Sequence, residues 1–217
     1  MGKKSLVAAD LLFAIQMLGM AAFIGGQTVR MLETVQGISP IWLGCAEVFC
    51  VINVGLAYRG WRQSPMRSTF QLFVTHAGWT VGIALLLVLL TAKAASVIWG
   101  WYDTATLVAV AVATGGLFLA GHRHNLGITD PIIRGLLAAI FRGIPHVVLA
   151  YKISLLGGNG LASIAVWAAH VTATVRIGQL ALAVKDVGWN RARVGLAIAE
   201  ASSELTWVLV TLVWFFR

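Results

Sequence analysis

The sequence predicts an all-α polytopic membrane protein, with seven transmembrane helices arranged as two three-helix repeats joined by a linker helix. Three observations carry this. The 217-residue chain is 59% hydrophobic and 11% charged, with a mean hydropathy of +0.86. That is more apolar surface than a soluble domain can hide. The apolar residues gather into seven runs, each near the length of about 20 residues that crosses a bilayer. Finally, the first three runs echo the last three.

The runs cover residues 5–29, 40–58, 69–92, 104–121, 131–153, 159–184 and 192–216. The first follows Lys3-Lys4 and continues with no small-residue cleavage site, so it reads as a spanning helix rather than a signal peptide. Ser39-Pro40 and Asp130-Pro131 each pair a capping side chain with a first-turn proline, which marks helix starts. "GGNG" at 157–160 is a turn. Cys45 and Cys50 are five apart on one helix and face different sides, so no mutual disulfide is expected. The domain division is 1–96 for the first bundle, 97–125 for the linker helix and 126–217 for the second bundle.

Basic residues outnumber acidic ones 16 to 8, a net charge of +8. In a soluble chain this would suggest nucleic acid, but here the basic residues flank apolar runs. Anionic lipid is therefore the expected partner, and nucleic acid is not. Lys3, Lys4, Arg59, Arg62, Arg67, Arg123, Arg134, Lys185, Arg191 and Arg193 fall on one side, against Arg30, Lys93, Lys152 and Arg217 on the other. The bias predicts a protein integral to a bacterial-type inner or plasma membrane, with its N-terminus cytoplasmic.

The echo pairs 23–56, "FIGGQTVRMLETVQGISPIWLGCAEVFCVINVGL", with 141–175, "FRGIPHVVLAYKISLLGGNGLASIAVWAAHVTATV". Phe23 matches Phe141, Gly25 matches Gly143, Gln27 falls on Pro145 and Val29 on Val147. His76, Trp79 and Thr80 have the spacing of Glu200, Ser203 and Glu204. Repeats with an odd helix between them keep the same sense in the membrane.

"IPHVVLAYK…GNGLAS" resembles the proline-glutamine loop motif of the PQ-loop and SWEET-like seven-helix transporter superfamily. Pro145 matches the proline, His146 stands where glutamine is usual, and Lys152 matches the basic residue. In the first half Gly26-Gln27 stands in place of proline-glutamine, and "QGIS" at 36–39 matches the glycine-serine part. The resemblance implies the three-one-three helix plan, transport by alternating access, and hinges at Gly26, Gln27 and Pro145. Two departures concern sugar transport in particular. Of the four prolines only Pro145 falls inside a helix, where SWEETs have four. The charge bias also predicts the orientation opposite to theirs.

Ionisable groups in the hydrocarbon region are costly, so they face the interior or a cavity and find partners. Glu47, His76, His170, Glu200 and Glu204 are such groups. Glu200, Ser203, Glu204 and Trp207 form one helical stripe; His76, Trp79 and Thr80 form another. Ser163, Trp167, His170 and Thr174 share a face of the sixth helix, and Glu47 and Cys50 share one of the second, with Asn53 further round. These stripes are expected to converge on a central polar cavity walled by Trp79, Trp167 and Trp207, with His146 beside the Pro145 kink. The residues expected to bind substrate or carry a coupling proton are thus Glu47, Asn53, His76, Trp79, Thr80, His146, Trp167, His170, Thr174, Glu200, Ser203, Glu204 and Trp207. Arg142 or Arg176 pairing with the glutamates in a purely structural role is the open alternative.

The expected function is transport of a small polar or amphipathic solute, with proton coupling open to the glutamates and histidines. A second class is an intramembrane enzyme, either metal-dependent on His76, His146 and His170 or using Glu/His acid–base chemistry. A third is a ligand-binding receptor. No cofactor is expected: the seventh helix has no lysine for retinal, and H-E-x-x-H, a phosphate-binding glycine loop and a nucleophile elbow are all missing from the sequence. "GHRHN" at 121–125 is a loop-edge pair of histidines that share no helical face. Oligomeric state is not legible.

Overall fold

The computed structural model describes residues 3–217, with the side chains of residues 3–6 and 187 outside the description. Seven helices are present: α1 Lys3–Glu33, α2 Pro40–Gln63, α3 Arg67–Ala92, α4 Trp101–Arg123, α5 Pro131–Leu156, α6 Ser163–Val187 and α7 Arg191–Phe215. No strand occurs among the described residues. Six helices, all but α6, are long and apolar enough to cross a membrane. The α6 helix has matching length but carries His170, Thr172, Thr174, Arg176 and Gln179 through its middle.

Both proline starts cap as their residue types require. Ser39 Oγ accepts from the Trp42 N–H at 3.3 Å, and Asp130 accepts from the N–H groups of Ile132 and Ile133 at 2.9 and 3.4 Å. Most helices run a few residues past the apolar runs, because polar residues at a membrane surface continue a helix without changing the hydropathy signal. The sixth is the exception: the turn after Gly157 extends to Ala162, so α6 begins at Ser163 rather than 159.

Around the molecule the helices neighbour one another in the order α1, α3, α2, α5, α7, α6, and α6 closes back onto α1. The α4 helix stands outside this ring against α2 and α5. Outer faces carry exposed Leu18, Val81, Val88, Val112, Leu119 and Leu205, the surface that lipid would solvate. Inside, Phe23, Met31, Trp42, Leu86, Leu149, Val166 and Trp207 belong to one packed cluster.

The two ends of the bundle differ. At the end where α1 begins, Arg67 pairs with Asp10 at 2.7 Å and Arg191 with Asp130 at 2.8 Å. The Arg191 hydrogen bond holds the Asp130 carboxyl below its usual range, helped by the backbone N–H groups it caps. Here α5 and α7 cross at two glycines: a Cβ on Gly195 would lie 2.0 Å from the Pro131 carbonyl oxygen, and one on Gly135 2.3 Å from that of Gly195.

At the far end the α1–α2 and α5–α6 loops are bonded together. Gln36 donates to the Leu156 carbonyl at 2.6 Å, and Gly160 N–H donates to the Gln36 carbonyl at 2.8 Å. Gln27, fully buried, donates to the Gly160 carbonyl at 2.7 Å and accepts from Ala162 N–H at 3.1 Å. Gly37 adopts φ +81°, and a Cβ there would meet the Gly157 carbonyl oxygen at 2.1 Å, so only glycine permits this approach. Beside it a buried ion pair ties α4 to α5: Lys152 Nζ lies 3.2 Å from Asp103 Oδ2 and also donates to the Ile98 carbonyl. Ser39 Oγ donates to the other carboxylate oxygen at 2.8 Å.

Candidate functional site

A cavity of about 490 Å³ opens between the near-end segments. Its mouth is lined by Phe13, Asn53, Ser68, Gln71, Pro131, Gln179 and Gly195. A smaller volume of about 110 Å³ continues it inward, and Phe49, His76, Arg142, Arg176 and Glu200 line both. The inner floor is aromatic. Phe23 packs edge-on to Trp79 with ring centroids 5.4 Å apart, Trp42 stacks on Trp207 at 6.0 Å, and His146 leans on Trp207 at 5.1 Å. Beyond that floor lie the bonded far-end loops. The cavity is therefore reached from one end and sealed at the other.

The charged centre is built by three helices. Glu200 on α7 is almost fully buried. Its Oε1 lies 3.1 Å from Arg176 Nη1 of α6 and 4.0 Å from Arg142 Nη1 of α5; its Oε2 has no hydrogen-bond partner. Arg134 of α5 donates to Asn53 Oδ1 at 3.0 Å, and Asn53 in turn donates to the Phe49 carbonyl.

The backbone of α5 explains how Arg134 and Arg142 both reach the cavity. They are eight residues apart, which on an unbroken α-helix turns one about 80° from the other. Residues Ala139–Gly143 form a π-helical turn directly before Pro145. The extra residue of such a turn takes back about 100° of rotation, which leaves the two guanidiniums close to one face. Pro145 cannot donate to the carbonyl four residues back, so the widened turn and the proline sit where the ladder is already interrupted. The disturbance expected at the Pro145 kink is thus realised as a π turn in the residues before the proline.

The expected site residues divide. Asn53, His76, Trp79, His146, Glu200, Ser203, Glu204 and Trp207 line the cavity or its inner continuation. His146 Nδ1 lies 3.0 Å from Thr206 Oγ1, and Trp207 donates to the Val166 carbonyl at 3.2 Å. Thr80 turns back onto the His76 carbonyl at 2.9 Å and does not line the cavity. Glu47 is half-buried away from the cavity, with Oε2 unpartnered, while its helix neighbour Cys50 lines the inner floor. The α6 stripe is rotated from its expected position: Trp167 is 56% exposed and Thr174 is exposed, so neither walls the cavity. His170 lies at the α6–α7 seam, with Nδ1 2.6 Å from Glu204 Oε1 and Nε2 2.8 Å from Thr211 Oγ1. The inward stripe of α6 is Ala169, Thr172, Ala173, Arg176 and Gln179. Of the expected hinges, Gln27 and Pro145 are buried, and Gly26 lies where α1 meets Ile164 of α6.

Arg134, Gln16, Ser68, Gln71, Thr75, Thr172 and Gln179 are polar lining residues that sequence spacing did not single out. Arg134 was readable only as a loop charge three residues after Pro131; Gln179 had a signal, its i+3 spacing from Arg176. Among the described residues no three His, Cys, Asp or Glu side chains gather as a metal site needs, and His76, His146 and His170 do not converge. Cys45 and Cys50 are both free thiols.

No family model, curated protein or solved structure matches the chain.

Proposed function

We propose that the chain is a membrane transporter that moves a small polar or amphipathic solute by alternating access between two three-helix bundles, α1–α3 and α5–α7, in the manner of PQ-loop and SWEET-like proteins. The observation that carries this reading is the one-ended cavity: a chamber with a charged centre and a largely apolar lining, reached from the near end and closed at the far end by aromatic rings and bonded loops. A receptor or enzyme needs the chamber but not a seal made of two matching interhelix loops.

The order of the ring supports the repeat. Exchanging α1 with α5, α2 with α6 and α3 with α7 maps the neighbour order α1, α3, α2, α5, α7, α6 onto itself, with α4 left outside. The α1–α6 and α2–α5 contacts then become the two equivalent seams between the bundles. Sliding at those seams would open the far-end loops as the near-end mouth closes. Proton coupling falls to Glu204 and His170, whose short hydrogen bond borders the inner floor.

The test needs no knowledge of the solute. A cysteine at Ala46, on the inner floor, in a chain carrying Cys45→Ser and Cys50→Ser, reacts with a membrane-impermeant maleimide from both sides of a proteoliposome. Cross-linking cysteines at Gln36 and Asn159 with a short bis-maleimide abolishes the far-side reaction and keeps the near-side one. If Ala46→Cys reacts from the near side alone with or without the cross-link, the chamber does not alternate and the transport reading fails.

A further inference from the structure

The charges lining the chamber do not balance. Arg134, Arg142 and Arg176 face a cavity whose outer part has one carboxylate, Glu200. The inner part adds Glu204, but that carboxylate is hydrogen-bonded to His170. No other acidic residue lines either part. The three guanidiniums stand on cavity-facing stripes of two helices, placed there by the π turn in α5 and the Thr172–Arg176–Gln179 spacing in α6. Their protein partners are thin. Among the described residues Arg134 has a neutral amide oxygen, and Arg142 has only Glu200 at 4.0 Å. Arg142 and Arg176 address the same carboxylate oxygen, so Glu200 engages neither as the two-pronged fork that guanidinium and carboxylate prefer. Uncompensated guanidinium charge at membrane depth is unfavourable and draws an anion.

We infer that the solute of this chamber is a small organic oxyanion, a carboxylate or phosphate whose charged head is held by Arg142 and Arg176 with Arg134 nearer the mouth, and whose apolar part rests on the floor of Phe23, Trp79 and Trp207. This rests on the transport reading for its purpose but not for its chemistry, since anion binding is measurable whether or not the chamber alternates. Glu200 has a definite part in it. It is the resident counter-charge of the empty chamber and competes with the solute for Arg142 and Arg176. An arriving head group takes over donors that Glu200 holds by one oxygen. Neutral polar groups of Gln71, Thr75 and Gln179 line the remainder, suited to orienting the uncharged part of a solute. Apolar lining exposed around the inner floor, with Ala46, Ala169 and Ala173 between the aromatic rings, leaves room for a flat ring or a short alkyl chain.

The chemistry is tested by titration calorimetry on the purified full-length protein in lipid nanodiscs, with four probes of similar shape: benzoate, phenyl phosphate, benzamide and benzylamine. Benzoate or phenyl phosphate binds, and which of the two binds more tightly identifies the head group; benzamide and benzylamine do not bind. Arg142→Gln and Arg176→Gln each weaken the anion by about 10–100-fold, the loss expected for one charge-assisted contact. Arg142→Lys, which keeps the charge but not the fork, loses less than Arg142→Gln. Glu200→Gln has the opposite sign: it strengthens the anion about tenfold by removing the competitor. A structural ion pair would not produce that gain, and a carboxylate that held a substrate cation would produce a loss. If Arg176→Gln does not fold, Arg142→Lys and Glu200→Gln carry the test.

The inference is overturned if neither anion binds at millimolar concentration, if benzamide or benzylamine binds as tightly as benzoate, or if Glu200→Gln weakens the anion. Anion binding with these signatures, together with an Ala46→Cys that reacts from one side alone, leaves the oxyanion assignment standing and removes transport.

Discussion

Lys152 shows what a single buried charge does in this fold. Its stem and ammonium are almost wholly enclosed, and Asp103, Ser39 and the Ile98 carbonyl surround the group at the far end. The sequence marked Lys152 as a loop-side basic residue of the motif; the structure makes it a fastener between α4 and α5. Its partner Asp103 stands one residue before another run, and one sequence carries no information on which distant charges meet. Lys152→Met leaves Asp103 ionised and unpaired and is expected to cost about 3–5 kcal/mol, read by denaturant titration in detergent. The double variant Lys152→Met/Asp103→Leu recovers much of that loss, because the cost lies in the orphaned charge. At the α6–α7 seam, Glu204→Gln keeps the hydrogen bond to His170 with a neutral amide, so the protein folds. It abolishes the dependence of solute uptake on a pH gradient if that pair carries the coupling proton. Uptake by the variant that still follows the gradient assigns coupling elsewhere.

At the scale of the helix, hydropathy located six helices long and apolar enough to cross a membrane, and the two Ser/Asp-Pro starts were placed to the residue. What hydropathy could not supply was phase. Helical spacing groups residues onto a face but does not say where that face points. His170 was read as inward because it is ionisable, and Trp167 and Thr174 were carried inward with it. The structure satisfies His170 at a seam with Glu204 and Thr211, so the remainder of its stripe turns out to lipid. The π turn was hidden for a similar reason: Pro145 announces a disturbance, but its form depends on what α5 packs against. The crossing of α5 and α7 gives a test at this scale. A side chain on Gly195 must push α7 off the Pro131 carbonyl. Gly195→Val is expected to destabilise by about 1–3 kcal/mol and to widen the near-end mouth, which raises the maleimide reactivity of a cysteine at Ser68. Wild-type stability in Gly195→Val would show that the two helices do not approach this closely.

For the whole molecule, the arrangement of charge and the arrangement of helices lead in the same direction. The far end is poor in free basic charge, since Lys152 is paired inside and Arg30 lies 2.6 Å from Glu33. The near end keeps Arg59, Arg62, Arg123, Lys185 and Arg193 at the ends of its helices. The proposed cytoplasmic placement of these basic residues has the chamber open inward. A cysteine at Asn159, exposed on a far-end loop, is then expected to label in intact cells with an impermeant maleimide; labelling only after permeabilisation reverses the orientation and makes the chamber outward-open. The proposed three-one-three plan rests on the echo between runs, and the neighbour order of the helices is compatible with it. The closed seal was not legible, because Gln27 and Gln36 make it with backbone groups of Leu156, Gly160 and Ala162, and no side-chain pattern announces those partners.

The most direct measurement is a pair of distances taken in lipid bilayers by pulsed electron resonance, with spin labels at Glu33 and Asn159 across the far end and, in a second sample, at Ser64 and Trp189 across the near end. All four positions are exposed and each pair spans the two bundles. Alternating access predicts two populations at each end, coupled in opposite senses: conditions that lengthen the far-end distance shorten the near-end one, and cross-linking Gln36 to Asn159 in the near-end sample leaves only the long near-end state. A single distance at both ends, unmoved by solute, anion or cross-link, would contradict it.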